Sequence, residues 1–327
     1  MRAGAREPGK IRKTPPSTVG SVPETASPLR RGRLLRIAVA LAVLLALIGY
    51  VVVRYVTGGG APGCTVRTAA GAGSSYELSA EQAANAATIS AVGTTRGMPE
   101  RAVTIALATA LQESGLRNIE HGDRDSLGLF QQRPSKGWGT ARQILDPVYS
   151  SGKFYEHLAE VPGYSRLPLT VAAQRVQRSG FPQAYAKHEP DATLLAAALT
   201  GRASGALTCE SRNDVKAGDP AKVRAELVRA FGPEVLPKAR TSGRTGAPAP
   251  REVSLPVRSA LGTDRGGAAQ RGWELAHWAV ARADGLRIEE VSYGGRVWNA
   301  KDSAKGWRSA PAAADSGPDD VRIRIAQ

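Results

Sequence analysis

An uncharged apolar segment near the N-terminus divides this sequence into two chemically different parts. Residues 37–53 read IAVALAVLLALIGYVVV, and with their apolar neighbours they reach the roughly 20 residues that a membrane-spanning helix needs. Residues 1–33 are rich in arginine and proline and predict a disordered basic tail. We therefore expect a single transmembrane helix at 34–56, with a cytoplasmic N-terminus and the remaining chain outside the cell membrane. A cleaved signal peptide is the alternative, although its apolar core is normally only about 7 to 15 residues long.

The basic composition does not by itself indicate a nucleic-acid partner. The formal net charge is +15, and a basic surface is the usual electrostatic footprint of phosphate binding. About half of this excess lies in the first 36 residues, directly before the apolar segment. Membrane topology and attraction to anionic lipid explain such a placement. We therefore expect a membrane contact through the N-terminal helix and no nucleic acid.

Beyond the apolar segment, the sequence predicts two folded parts and two linkers. A spacer of Gly, Ala and Ser covers 57–75, and a series of helical patterns follows over 76–236. A second linker at 237–256 is rich in Pro, Gly, Ser and Arg. Residues 257–327 predict a small α+β module, with a helix at 268–284 followed by strands that alternate in polarity. This module resembles a domain of unknown function found in exported bacterial proteins.

Helix signals recur along residues 76–236. Ser79 is followed by Gln82 at the spacing of a capping box. Proline opens three further helical patterns at the favoured first-turn position, namely at Pro99, Pro147 and Pro220. Two Ala-rich patterns, 170–179 and 182–200, are each followed by a glycine.

The chain has two cysteines, Cys64 and Cys209. Both lie on the side that we expect to be exported, where oxidising conditions preserve disulfides. Because one pairing is possible, we predict a disulfide that ties together the two ends of the helical part. Two unrelated thiols are the alternative.

The sequences LQESGL at 111–116 and GLFQ at 128–131 carry the candidate chemistry. On a helix that begins near Pro99, Val103 and Leu107 belong to the buried stripe, and Glu113 lies at its flank in the last turn. Partial burial and the negative end of the helix dipole both favour the protonated form of this carboxyl. A protonated carboxyl can act as a general acid. The alternative is a surface ion pair with Arg117.

These two motifs resemble the lysozyme-like soluble lytic transglycosylase superfamily, over about residues 79–200. The resemblance implies a mostly α lysozyme-like domain behind the membrane helix, with the small α+β module after it. It implies Glu113 as catalytic acid and base and Ser114 as a hydrogen-bonding residue that orients it. A loop of Gly128, Leu129, Phe130 and Gln131 would line the sugar groove.

The third motif of that superfamily, Ala-Tyr-Asn, is not present as such. Its nearest counterparts are the segment AAQR at 172–175 and the segment AYA at 184–186. Gln174 and Gln177 are candidates for the missing amide, and Tyr185 is a candidate to act without one. A catalytically silent sugar-binding domain is therefore an alternative to an enzyme.

Asp123 and Asp125 are candidates for a second carboxylate. If either faces Glu113 across the groove, it could activate water for hydrolysis, as two carboxylates do in glycosidases. If both are structural, Glu113 must act alone, and the sugar's own hydroxyl becomes the nucleophile. The spacing of His, Cys, Asp and Glu indicates no metal site and no cofactor.

Together these features predict cleavage of peptidoglycan glycan strands outside the cytoplasm, with Glu113 as general acid and base. The alternative is a non-catalytic protein of peptidoglycan binding or wall assembly that uses the same groove.

Overall fold

The computed structural model describes residues 29–56, 63–68, 73–181, 183–211, 217–236, 251–257, 265–310 and 320–327. The chain forms two compact units, residues 1–60 and residues 61–327. Most of the predicted basic tail, residues 1–28, lies outside the described residues. So do residues 57–62 and 69–72 of the first predicted linker and residues 237–250 of the second.

The first unit contains helix α1, Leu29–Val56. Within the part of the chain that the structure describes, no helix combines the length and the apolar character needed to cross a membrane. The predicted transmembrane helix at 34–56 is therefore wrong. Its uncharged run, 37–53, is shorter than the roughly 20 residues of a typical membrane span.

Helices make up most of the first part of the second unit. They are α2 (Ala80–Thr95), α3 (Glu100–Ser114), α4 (Ala141–Ile144), α5 (Pro147–Ala159), α6 (Leu169–Gln177), α7 (Glu189–Leu199) and α8 (Pro220–Phe231). The predicted capping box is present at the start of α2, where Ser79 accepts from the backbone of Gln82 and the Gln82 side chain accepts in return. The predicted starts of α5 and α8 are also confirmed, with Asp146 and Asp219 as N-caps.

Helix α7 begins later than the sequence predicted. The helical pattern at 182–200 gives a short 3-10 turn, Ala186–His188, before α7 starts at Glu189. Pro190 explains this start, because proline lacks the N–H that a helix interior requires and fits best in the first turn. Tyr185 therefore lies in a turn rather than inside a helix.

A three-stranded antiparallel sheet joins the two ends of this helical part. It contains β1 (Gly63–Arg67), β2 (Ser75–Ser79) and β3 (Leu207–Cys209), in the order β2-β1-β3. The sequence analysis assigned a spacer to 57–75, so the mostly helical description of this part is corrected. Cys64 and Cys209 face each other across β1 and β3 and form the predicted disulfide.

The C-terminal part contains a five-stranded antiparallel sheet and two helices. The strands are β4 (Glu252–Pro256), β5 (Ile288–Tyr293), β6 (Arg296–Asn299), β7 (Arg308–Ser309) and β8 (Asp320–Ile325), in the order β4-β8-β5-β6-β7. The helices are α9 (Arg265–Ala281) and α10 (Ala283–Leu286). The predicted helix and alternating strands are present, and Gly294 and Gly295 connect β5 to β6 in a hairpin. Strand β4 was not predicted, because five residues next to a proline-rich stretch give too short a signal.

Helix α9 packs against α2 and α7, so the C-terminal part and the helical part share one core. The contacts include buried polar groups. Glu274 accepts a hydrogen bond from the Thr94 hydroxyl on α2 and pairs with Arg271 at 2.7 Å. Nδ1 of His277 donates to the carbonyl oxygen of Ala198, a residue of α7, at 2.7 Å.

Replacing both cysteines with serine should lower the free energy of unfolding. The disulfide spans 145 residues, and in the chain-entropy model a closed loop of this size contributes about 4 to 5 kcal/mol. Denaturant unfolding of both proteins measures this difference. Equal stability of the two proteins would show that pairing of β1 with β3 suffices without the covalent bond.

Acidification should weaken the fold through His277. Burial lowers the pKa of this imidazole to about 4, while an unfolded histidine has a pKa near 6.5. Because the pKa is lower in the folded state, the contribution of neutral His277 to the free energy of unfolding is complete above pH 6.5 and is lost as the pH falls towards 4. The loss is about 3 kcal/mol at most. Unfolding free energies at pH 7 and pH 4.5 should therefore differ less for His277→Gln than for the native protein. An equal difference in both proteins would remove His277 as the titrating group.

Candidate functional site

Helix α3 places Glu113 at the edge of the core. Residues 102–111 of this helix are all buried, so the helix meets the surface at its ends. Gly115 ends it in the left-handed conformation, with φ of 62°. Glu113 lies in the last turn and is half-buried.

Tyr185 holds the Glu113 carboxyl. Its hydroxyl donates a hydrogen bond to Oε1 of Glu113 at 2.7 Å, and its side chain is buried. Burial, followed by the nearby Glu113 charge, raises the pKa of the Tyr185 phenol well above its ordinary value. The phenol therefore keeps its proton and remains a donor at neutral pH. Among the described residues, Oε2 of Glu113 has no hydrogen-bond partner and is available to a substrate.

Ser114 ties the end of α3 to the loop at 128–131. Its hydroxyl contacts the carbonyl oxygens of Ala110 at 3.1 Å and Leu129 at 2.8 Å. The resemblance implied that Ser114 orients Glu113. Its observed contacts are with main-chain carbonyls, so any effect on Glu113 acts through the position of the helix end and the loop.

The loop itself is held from several sides. Leu129 and Phe130 are buried, and the Phe130 ring stacks on Phe154 with centroids 4.7 Å apart. Gly128 has a positive φ of 74°, and a Cβ there would lie 2.8 Å from the carbonyl oxygen of Ile144. This position therefore requires glycine. Gln131 also has a positive φ, 47°, and its Nε2 donates to the carbonyl oxygens of Gly128 at 3.3 Å and His121 at 3.4 Å.

The two candidate glutamines of α6 have different environments. Gln177 donates from Nε2 to the carbonyl oxygen of Phe130 at 2.7 Å, so it fixes the same loop. Gln174 donates to the carbonyl oxygen of Ser179 at 2.6 Å, within its own turn. Gln174 thus shapes the end of α6, whereas Gln177 is the glutamine that reaches the loop.

The two candidate second carboxylates lie in the loop before this site. Asp125 accepts from the backbone N–H of Ser135 at 2.8 Å and from Nε of Arg133 at 2.7 Å. These bonds hold the pKa of Asp125 far below its usual range. Asp123 is 90% exposed and lies 3.9 Å from Arg124. Asp125 therefore has the contacts of a structural residue that closes the loop.

A groove of about 700 Å³ lies on the other side of the loop. Its walls come from the segment 131–138, the end of α5 and the last turn of α6. We call it the basic groove, because Lys136, Arg175 and Arg178 line it together with Gln131 and Gln177. Trp138 is also in its wall, where its ring packs at 4.3 Å on His157.

Glu113 and Tyr185 are not among the residues that line the basic groove. The loop at 128–131 separates the two. Ser114 and Gln177 bind consecutive carbonyls of this loop, one from each side. Glu113 and the groove are therefore two parts of one connected region.

No metal site is visible in the described residues, where no three His, Cys, Asp or Glu side chains are grouped to hold an ion.

The C-terminal part of the second unit matches a known protein family. The model described as VldE, C-terminal domain, covers residues 253–320. This range runs from β4 to the first residue of β8 and lies apart from Glu113 in the sequence. No curated protein matches the chain. The match over residues 253–320 confirms that this module resembles a C-terminal domain found in other proteins.

The contact between Tyr185 and Glu113 is the main feature that sequence reasoning missed. The two residues are 72 positions apart. The available signal was the Ala-Tyr pair at 184–185, which the sequence analysis assigned to substrate binding. A phenol and a carboxyl give no sequence pattern of their own, so only the packing of α7 on α3 reveals the pair.

Replacing Tyr185 with phenylalanine should destabilise the fold by about 1.5 to 3 kcal/mol, because the change removes a hydrogen bond to a charged group. Tyr155→Phe is the matched control. Tyr155 is also buried and donates to the neutral carbonyl oxygen of Ile89 at 3.0 Å, so its loss should cost about 1 kcal/mol. Thermal or denaturant unfolding at pH 7 compares the two. If Tyr185→Phe lowers the free energy of unfolding less than Tyr155→Phe does, the stronger hydrogen bond that we assign to the Glu113 carboxyl is contradicted.

Proposed function

We propose that this protein cleaves the glycan strands of peptidoglycan between N-acetylmuramic acid and N-acetylglucosamine, with Glu113 as general acid and base. The observation that carries the proposal is the half-buried Glu113 carboxyl, with Oε1 held by Tyr185 and Oε2 without a hydrogen-bond partner among the described residues. The resemblance of LQESGL and GLFQ to the soluble lytic transglycosylases supports the same assignment. So does the bond from Ser114 to the GLFQ loop.

The chemistry follows from this geometry. Glu113 would donate a proton to the glycosidic oxygen while the bond from that oxygen to the anomeric carbon breaks. The resulting carboxylate would then accept a proton from the nucleophile that attacks the anomeric carbon. After Glu113 has given up its proton, the Tyr185 hydroxyl would stabilise the resulting carboxylate by donating to Oε1.

The nucleophile that we propose is a hydroxyl of the muramic acid itself, which would leave an anhydro end. Hydrolysis by a second carboxylate requires a group that is free to activate water. Asp125 is engaged by Arg133 and Ser135 instead. This favours a mechanism in which one carboxyl performs both proton transfers.

The disulfide supports an extracytoplasmic location. Bonds such as Cys64–Cys209 persist in oxidising compartments and are rare in the cytoplasm. Peptidoglycan lies on the same side of the membrane.

Glu113→Gln should abolish the release of soluble muropeptides from purified cell wall while the protein stays folded, because the amide oxygen can still accept from Tyr185. Glu120→Gln is the control, since this exposed glutamate follows the end of α3. Mass spectrometry of the soluble products measures the activity and also separates anhydro from reducing ends. Equal release by native protein and Glu113→Gln would rule out the catalytic assignment.

A peptidoglycan-binding protein without catalysis is the second candidate. One observation favours it: Ala186 follows Tyr185, where the transglycosylase motif has an asparagine. The amide that would contact the substrate is therefore absent from this position. Retention of native protein on purified wall without any muropeptide release would select this candidate.

A further inference from the structure

We infer that the basic groove binds free carboxylates on the peptides attached to the glycan, so that the protein distinguishes walls by the charge of those peptides. This inference rests on the proposed function and adds a substrate preference to it.

The charges that line the groove are unbalanced. Four of the lining residues are lysine or arginine, whereas Glu160 is the one carboxylate among them. Arg133 is already neutralised, because its Nε lies 2.7 Å from Asp125. Lys136, Arg175 and Arg178 form no ion pair with any described residue. The Glu160 side chain is 75% exposed, and its carboxylate lies 3.5 Å from Nδ1 of His157.

The three unpaired cations come from two walls of the same cavity. Lys136 belongs to the 3-10 turn Pro134–Lys136, and Arg175 and Arg178 belong to the end of α6. The negative end of α6 attracts cations and gives Arg175 a structural reason to be there. That reason does not extend to Lys136, which belongs to a different element. One helix end therefore does not explain all three cations in the groove lining.

The backbone also fixes the position of Arg178. This residue has a φ of 52°, in the left-handed region that non-glycine residues rarely adopt. Its N–H bonds to the carbonyl oxygen of Gln174 at 2.8 Å, and the Gln174 side chain bonds to Ser179 at 2.6 Å. The turn is thus held in place beside the groove by the glutamine that the sequence analysis assigned to substrate.

Charge complementarity identifies the ligand chemistry. Unpaired cations that line one concave cleft favour a bound anion, and guanidinium groups pair well with planar carboxylates. A glycan of acetylated amino sugars carries no free acid where its lactyl groups are amide-linked to peptide. The attached peptides do carry free carboxylates, unless these are amidated. They extend from the muramic acid next to the bond that Glu113 would cleave, and the groove adjoins the loop that Ser114 contacts.

Two forms of one substrate test the inference. Purified wall is stripped of phosphate-containing polymers by acid, and half of it is then amidated with carbodiimide and ammonia. Native protein should bind the unmodified wall about tenfold more tightly than the amidated wall, the ratio expected from one charge-assisted contact. Sedimentation with the wall measures binding and does not require catalysis.

The variant Lys136→Gln/Arg175→Gln should bind unmodified wall about tenfold more weakly than native protein, and amidation should reduce its binding little further. Arg142→Gln/Arg166→Gln is the matched control, because both of these arginines are exposed and lie outside the groove. This control should behave as the native protein does. Both changes alter exposed side chains, so each variant should unfold at the temperature of the native protein.

Equal loss on amidation in the native protein and the groove variant would overturn the inference. Binding of native protein is also compared between unstripped and stripped wall, and loss of binding on removal of the phosphate polymers alone would overturn the inference in favour of a polyphosphate ligand. Failure of the proposed function can be distinguished from failure of this inference. In that case native protein releases no muropeptides from either wall, but it still binds unmodified wall more tightly than amidated wall.

Discussion

The burial of α3 from Ala102 to Leu111 is the constraint on which the site depends. All ten of these residues are buried, and four of them are alanine, so neighbouring elements pack closely around this part of the helix. A helix of this kind can present a functional group to solvent only at its ends. Glu113 lies at such an end, and the tight turn at Gly115 prevents the helix from carrying it further out. The position of the carboxyl is therefore set by the core rather than by a surface loop.

The groups around Glu113 are fixed by the same packing. Helix α7 lies against α3 and positions the turn that contains Tyr185. Helix α6 contributes Gln177, which binds one side of the 128–131 loop, while Ser114 binds the other. A carboxyl that accepts from a buried phenol loses orientational freedom, which is the type of preorganisation that catalytic and binding sites use.

The C-terminal part participates in this arrangement. Helix α9 contacts both α2 and α7, and the indole N–H groups of Trp298 and Trp307 donate to the carbonyl oxygens of Cys209 and Leu207 on β3. The region that matches the VldE C-terminal domain family is thus packed onto the strand that carries the disulfide. These contacts make it a support for the helical part. The family match itself does not include the residues around Glu113.

Local sequence signals determined much of the secondary structure. The capping box at Ser79 and the prolines at the starts of α5 and α8 act within one helical turn, so the sequence alone was enough to locate these helix starts. The disulfide followed from the presence of two cysteines. Tertiary structure decided the rest. Strands β1 and β4 are short and acquire partners far away in the chain, the Tyr185–Glu113 bond joins two distant turns, and the basic groove combines cations from separate elements. The apolar run at 37–53 was given too much weight as a membrane span. Each of these depends on contacts between distant residues or on the full extent of a helix, neither of which a local pattern encodes.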